Sequence, residues 1–366
     1  MDSLECDVLI VGGRVAGSIL ATVLGTAGHE VVVVDRARFP SPTASTHFFR
    51  GADGVAALEH VGVLGDVLAL GPPRLACQYD HIQGQDAPRL SPPQDPGEVG
   101  FCLSVRREPL DDILVRRAAR EPTVRVLQGT RLTELKRTNG RVTGAVLSAD
   151  GEVLDVRSRF TVGADGRRST VAERVQPELE LSDAPARALF YQYVRGFPSP
   201  GSDPGPEFSI LGDEIAYVFP SDDGVTLVAA SVNLETFEAI RRSLSTSFAG
   251  VISRHEGITE RFKQARPISK VLGCGPEPHY VRRPWGNGWA LVGDASIHQD
   301  PWSGRGIDFA GTHARYLGEA LTDTLSGRVD ESAALQAYWK RRDQHALAGY
   351  RETNELAKDL RQIPAS

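Results

Sequence analysis

A chain of 366 residues with 41% hydrophobic and 24% charged residues can bury one large core or two moderate ones and has an ordinary globular composition. A net charge of −6 with no basic block argues against a nucleic-acid partner. No apolar run approaches the ~18–20 residues of a membrane span, the start of the chain lacks the basic-then-apolar layout of a signal peptide, and Cys6, Cys77, Cys102 and Cys274 have neither CxxC nor metal-ligand spacing. No membrane and no metal is therefore expected, and a reduced, cytoplasmic setting fits; Cys6 and Cys102 read as small core residues.

Residues 6–11 are an apolar run ending in glycines, the pattern of a buried strand entering a tight turn. Residues 15–27 are small and aliphatic and stop at Gly28, which predicts a helix. Residues 30–35 are a β-branched run closed by Asp35. Strand, helix and strand in about 30 residues make a βαβ unit and predict a parallel sheet. Residues 40–50 (PSPTASTHFFR) predict a loop, 51–60 a helix, and the Pro- and Gly-rich 71–100 short strands. A strand around 101–105 precedes a charged amphipathic helix over 108–120. Residues 124–156 alternate with period two around turns at 138–140 and 150–151, predicting a small antiparallel meander, and 159–163 are a further buried strand. Four strand-like runs between 186 and 232 follow one another without helices, which argues for an antiparallel sheet and a second domain. Residues 235–261 return to helix, 289–292 form a strand, and 309–325 and 331–355 are helices.

The first chemistry-bearing motif is VGGRVAG. A glycine turn between strand and helix lets backbone N–H groups approach a pyrophosphate, whose charge the helix N-terminus favours. Asp35 would accept hydrogen bonds from a ribose. The GxGxxG register fits Gly12 and Gly17, with Arg14 in the middle position; its guanidinium aims either at the phosphates or at solvent. The second motif, Arg107-Glu108-Pro109-Leu110-Asp111, offers an arginine at a helix start. The third, GADGRRS, places Asp165 between strand and helix, as a ligand acceptor or as an N-cap. The fourth, GDASIHQDPWSGRGIDFA, puts Asp294 at a strand end and a glycine loop before a helix, a helix start suited to a ring that becomes anionic on reduction.

In this order the motifs resemble the group A flavoprotein monooxygenases typified by para-hydroxybenzoate hydroxylase, whose scaffold halogenases and geranylgeranyl-reductase-like enzymes share. The loop with Ser45-Thr46-His47 resembles one largely bacterial branch, in which the middle glycine is often arginine. The resemblance implies an α/β fold: a Rossmann-like FAD-binding domain with an inserted antiparallel β-sheet substrate domain. It divides the chain into residues 1–72, 100–178 and 265–330 for FAD, 73–99 and 179–264 for substrate, and 331–366 as a C-terminal helix. It implies that Gly12, Gly13, Arg14, Val15 and Ala16 line the pyrophosphate turn. Asp35 and Arg36 would face the adenosine, Arg107 the middle of FAD, the backbone near Arg131 the adenine, and Asp294 the ribityl chain. Asp165 matches the family's DG acid, and Pro301, Gly304, Gly306 and Ile307 would surround the isoalloxazine. The family commonly has Asn where Asp308 stands and Asp where His313 stands.

The function so implied is monooxygenation, by hydroxylation or epoxidation, of an aromatic or polyketide-like small molecule, with FAD, NADPH or NADH as reductant, and O2. Tyr191, Tyr193 and Tyr217 are candidate pocket walls, and His47 and His298 candidate proton carriers. The protein would be a monomer or homodimer. Two other readings remain: a flavin dehydrogenase or double-bond reductase, and a non-catalytic nucleotide-binding protein. A halogenase is disfavoured, because no lysine precedes Lys136 and WxWxIP is absent.

Overall fold

The computed structural model describes residues 3–45, 47–86 and 99–364. Thr46 of the Ser-Thr-His segment and residues 87–98 of the expected 71–100 strand region lie outside the described residues.

The expected βαβ unit forms β1 (Ser3–Val11), α1 (Val15–Thr26) and β2 (Val31–Asp35). Every residue of β2 is buried, as a parallel strand covered on both faces requires. β1 lies between β2 and the Glu152–Gly163 strand, parallel to both. Trp289–Leu291 extends the sheet in parallel beyond Glu152–Gly163. Strand order therefore reverses around β1, and a crevice opens beyond the carboxyl ends of the strands. Gly12, Asp165 and Asp294 follow three of those ends.

One local prediction is corrected here. Val124–Gln128 is not part of the meander; it pairs in parallel with β2 at the sheet's edge. The antiparallel extension consists of Thr130–Thr138, Arg141–Ala149 and the start of Glu152–Gly163. That last strand is continuous through 12 residues, so the expected meander strand and the expected strand at 159–163 are one element. Alternation reports which face a side chain takes; it carries no sign of strand direction.

The second sheet runs, in spatial order, Arg266–Pro267, Arg187–Arg195, Val225–Asn233, Glu214–Pro220, Glu207–Leu211, Tyr79–Ile82 and Gln85–Asp86. All its pairings are antiparallel except that of Glu207–Leu211 with Tyr79–Ile82. Phe190, Val218, Val228 and Ala230 bury one face against Phe248, Val251 and Ile258 of the covering helices. The expected helix over 235–261 is broken into Leu234–Ile240, Leu244–Ile252 and Glu256–Gln264. The opposite face carries Leu189, Tyr191, Tyr217, Phe219 and Leu227, packed on Phe48 and Leu75.

Two long helices, Gly306–Leu325 and Glu331–Ala357, complete the body. The first lies on α1, where Gly318 admits Val23 so closely that an added Cβ would sit 2.6 Å from it. Arg342 of the second is fully buried; it donates to the Arg282 carbonyl and Ser296 Oγ and pairs with Glu180. It thereby holds the helix to the loop after Asp294. Among the described residues no helix is long and apolar enough to cross a membrane. Cys6, Cys77 and Cys102 are buried, and burial pushes the Cys6 thiol up to about 12.

Candidate active site

The glycine turn after β1 is packed against the GADG loop. Gly12 has φ +105°, and a Cβ there would lie 2.4 Å from the Ala164 carbonyl oxygen and 2.8 Å from Asp165 Cα. Only glycine lets these two loops meet. The loop of Asp294 closes the third side: an added Cβ on Gly293 would stand 3.2 Å from Ala16 Cβ, and one on Gly306 3.7 Å from Asp294 Oδ1. Residues near positions 12, 165, 294 and 306 thus share one crevice at the N-terminus of α1.

That N-terminus has no side-chain cap and no acid in its first turn, so its leading N–H groups are available to an anion. Gly13 N donates to Asp35 Oδ2 and Ala37 N to Asp35 Oδ1, each at 2.8 Å. The Asp35 carboxylate so braces the turn and retains further lone pairs. Arg36 and Arg131 lie on exposed surface beyond β2 and on the Thr130–Thr138 strand. Arg14 takes neither of the two directions expected of it. Its guanidinium reaches Asp111 at 2.5 Å, with the Ser41 and Pro42 carbonyls and Ser41 Oγ also within hydrogen-bond distance. Arg107 shares the same fully buried Asp111 at 2.9 Å. Two guanidinium groups on one carboxylate leave one net positive charge beside the helix start.

Asp165 Oδ2 caps the short following helix by accepting from Thr170 N at 2.7 Å, while its Oδ1 is buried without a hydrogen-bond partner. Burial raises its pKa against these backbone donors. An orphaned buried carboxylate oxygen, an uncapped helix start and the open space beside Gly304 fit the hydroxyls, diphosphate and ring of FAD.

Sequence reasoning missed Arg50. It donates to the Ser303 and Gly304 carbonyls and pairs with Asp308 at 2.9 Å, fixing the loop that runs from Pro301 into the helix beginning at Gly306. Burial pushes the Asp308 carboxyl up to about 6 against the pull of Arg50. Its position next to Ile307 carried no sequence sign of this partner.

Between this loop and the second sheet lies an aromatic patch so closely packed that it leaves no space for a water molecule. Phe48, Leu189, Phe208, Tyr217, Phe219 and Trp302 line it, and no charged side chain does. Tyr217 Oη donates to the Trp302 carbonyl at 2.7 Å, joining wall and loop. Of the three expected wall tyrosines only Tyr217 belongs to this patch; Tyr191 lies in the same hydrophobic cluster, Tyr193 packs against it, and Tyr193 Oη contacts His47 Nε2 at 2.8 Å. Burial, with Asp222 opposing it, takes His47 down to about 3, so the ring is neutral near pH 7. His298 Nδ1 donates to the Pro278 carbonyl at 2.9 Å. His298 lies near His279, with ring centroids 6.0 Å apart, and His47 lies beside Tyr193, so the structure puts the two candidate histidines in separate networks.

Residues 5–194 match the family described as FAD binding domain. The chain is 30% identical to digeranylgeranylglycerophospholipid reductase of Methanothrix thermoacetophila over 348 residues, covering 92% of this chain and 83% of that one. It is 29% identical to kynurenine 3-monooxygenase of Salinispora arenicola over 360 residues, covering 92% and 76%. Among solved structures, Pseudomonas aeruginosa PqsL in complex with 2-aminobenzoylacetate superposes with a TM-score of 0.84 at 25% identity, covering 98% of this chain and 97% of that one. The myxobacterial chondrochloren halogenase CndH superposes with a TM-score of 0.86 at 21% identity, covering 96% and 83%, a likeness of fold.

Proposed function

This chain belongs to the FAD binding domain family of group A flavoprotein monooxygenases and is an FAD-dependent oxidoreductase; from that premise we propose that it oxygenates an uncharged aromatic or polyketide-like small molecule, with NADPH or NADH as reductant and O2 as co-substrate. The observation that carries this reading is the uncharged aromatic patch facing the Pro301–Gly304 loop, whose side chains would have to part to admit a substrate. Apolar walls with a few polar groups at one end hold and orient a flat molecule and exclude water.

Bound FAD supplies the redox chemistry, and the chain supplies position and charge. Gly12, Gly13, Val15 and Ala16 would give backbone donors to the diphosphate, and the surplus charge of Arg14 and Arg107 over Asp111 would attract it. Asp35 and Arg36 would face the adenosine, Arg131 the adenine, and Asp165 and Asp294 would accept from hydroxyls. Pro301, Gly304, Gly306 and Ile307 would pack on the ring, on a loop that Arg50 steadies. Residues 1–72, 100–178 and 265–330 would form the cofactor unit and 73–99 with 179–264 the substrate unit, but the sheets shift two of these bounds: Arg266–Pro267 and Leu272–Cys274 pair with Arg187–Arg195 of the second sheet, and Leu179–Asp183 pairs with His279–Arg282 outside it; 331–366 would be the C-terminal helix. Tyr191, Tyr193 and Tyr217 would wall the substrate. His47, a buried neutral ring, and His298 would relay protons.

The second reading, a flavin double-bond reductase, is favoured by the 30% identity to the archaeal lipid reductase and by the same apolar lining. Purified protein should be yellow. NADPH and NADH oxidation assays with phenols and isoprenoid alkenes under 18O2 separate the readings: labelled product supports oxygenation, and unlabelled saturated product supports reduction. A colourless protein that takes up no FAD would refute both.

A further inference from the structure

We propose that Trp302 is the gate of the aromatic patch and sets its size: the indole turns out of the patch to admit an uncharged bicyclic aromatic molecule that carries an N–H or O–H. Calling that molecule the substrate rests on the proposed function; the gate itself does not. The patch leaves no space for a water molecule, so a ligand enters only by taking the place of a side chain already there.

The other large side chains are held. Phe48, Leu189, Phe208, Tyr217 and Phe219 stand on paired strands. Phe48 stacks on Phe219 with ring centroids 4.8 Å apart, and Phe208 meets Tyr217 edge-on at 5.9 Å. Trp302 stands instead on the short Pro301–Ser303 turn and is only partly buried. Its backbone is pinned on both sides, with N donating to Asp300 Oδ1 at 3.0 Å and the carbonyl accepting from Tyr217 Oη at 2.7 Å. The turn therefore stays in place while the side chain rotates. One hydrogen bond holds the indole itself, from Nε1 to the Thr353 carbonyl at 2.8 Å. Rotation breaks that bond and turns a partly exposed ring towards water.

The space so vacated dictates its occupant. It has the outline of two fused rings. A single ring leaves part of it empty, and a larger system pushes on the strands; both are costly in a packed cluster. Burying rings of equal area returns what expelling the indole costs. A charged group would lose its hydration with no opposite charge among the lining residues. An N–H or O–H on the ring replaces the donor that the Thr353 carbonyl gives up.

The test uses FAD-loaded protein and two neutral probes, indole and benzofuran, which share a shape but differ in the donor. The four tryptophans of the chain are replaced by 5-fluorotryptophan, and the 19F signal of Trp302 is assigned from its loss in Trp302→Phe. Saturating indole should move the Trp302 signal towards that of a solvent-exposed tryptophan and leave the other three in place. Trp302→Ala needs no gate to open and should bind indole about tenfold more tightly than wild type. Benzofuran should bind that variant about threefold more weakly than indole does. Indole bound with the Trp302 signal unmoved, no indole binding to wild type, or equal affinity in the two proteins overturns the gate; equal affinity for the two probes overturns the required donor. If Trp302→Ala does not fold, Trp302→Leu takes its place with the same criterion. No readout requires turnover, so a failed 18O2 assay would count against the proposed function alone.

Discussion

Arg50 donates twice to Asp308, from its backbone N–H at 3.0 Å and from Nη1 at 2.9 Å, across 258 residues of chain. The carboxylate is buried, and the same guanidinium holds the Ser303 and Gly304 carbonyls. Arg50→Ala strands a buried acid and frees the loop. It should cost about 3 kcal/mol of stability and weaken FAD binding, read by urea denaturation and by flavin titration. Asp308→Asn on that background should recover part of the stability, because a neutral amide needs no counter-charge.

Asp300 is buried, its Oδ2 has no hydrogen-bond partner, and burial pushes its pKa from 3.8 up to about 6. A carboxyl raised in the folded state binds its proton more tightly there than in the unfolded chain. Its contribution is therefore complete below pH 4 and lost as pH rises through 6. Asp300→Asn keeps an acceptor for Trp302 N and removes that loss. The variant should gain on the order of 2 kcal/mol relative to wild type on going from pH 4 to pH 7, measured as the difference in unfolding free energy. Equal pH dependence in the two proteins would refute this account of Asp300.

Gly12→Ala should be far more damaging than its size suggests. The new Cβ meets the Ala164 carbonyl at 2.4 Å, and the backbone is left-handed there. Separation of the two loops should cost about 3 kcal/mol and abolish FAD retention on gel filtration. An FAD-replete variant of normal stability would contradict the shared crevice.

Arg14→Gly restores the glycine of the motif register and yet should weaken FAD binding about tenfold, about 1.4 kcal/mol, through the lost positive charge rather than a lost contact. Asp111 would keep only Arg107, so the surplus positive charge disappears, and residues 41–42 lose their anchor. Isothermal titration with FAD at two salt concentrations checks this; unchanged affinity would show that Arg14 only braces the loop.

The parts legible from sequence were those whose cause is local. Gly12, the acid after β2 and the glycines around Arg305 announce turns and helix starts through neighbouring residues alone, and the ordered motifs indicated a flavin scaffold that the family match supports. The tyrosines were visible as an alternating set, because side chains two apart share a sheet face.

What the sequence by itself determined is therefore the list of strand ends, helix starts and buried runs, each set by short-range sterics and hydrophobic period. Tertiary structure alone decided which of them meet. It turned Val124–Gln128 into a parallel edge strand, gave Arg14 a carboxylate 97 residues away, and joined Ser104 to Ser221 across 117. The physical reason is that a buried polar group must find a partner wherever the packed chain brings one within about 3 Å, and nothing in its sequence neighbourhood records where that will be.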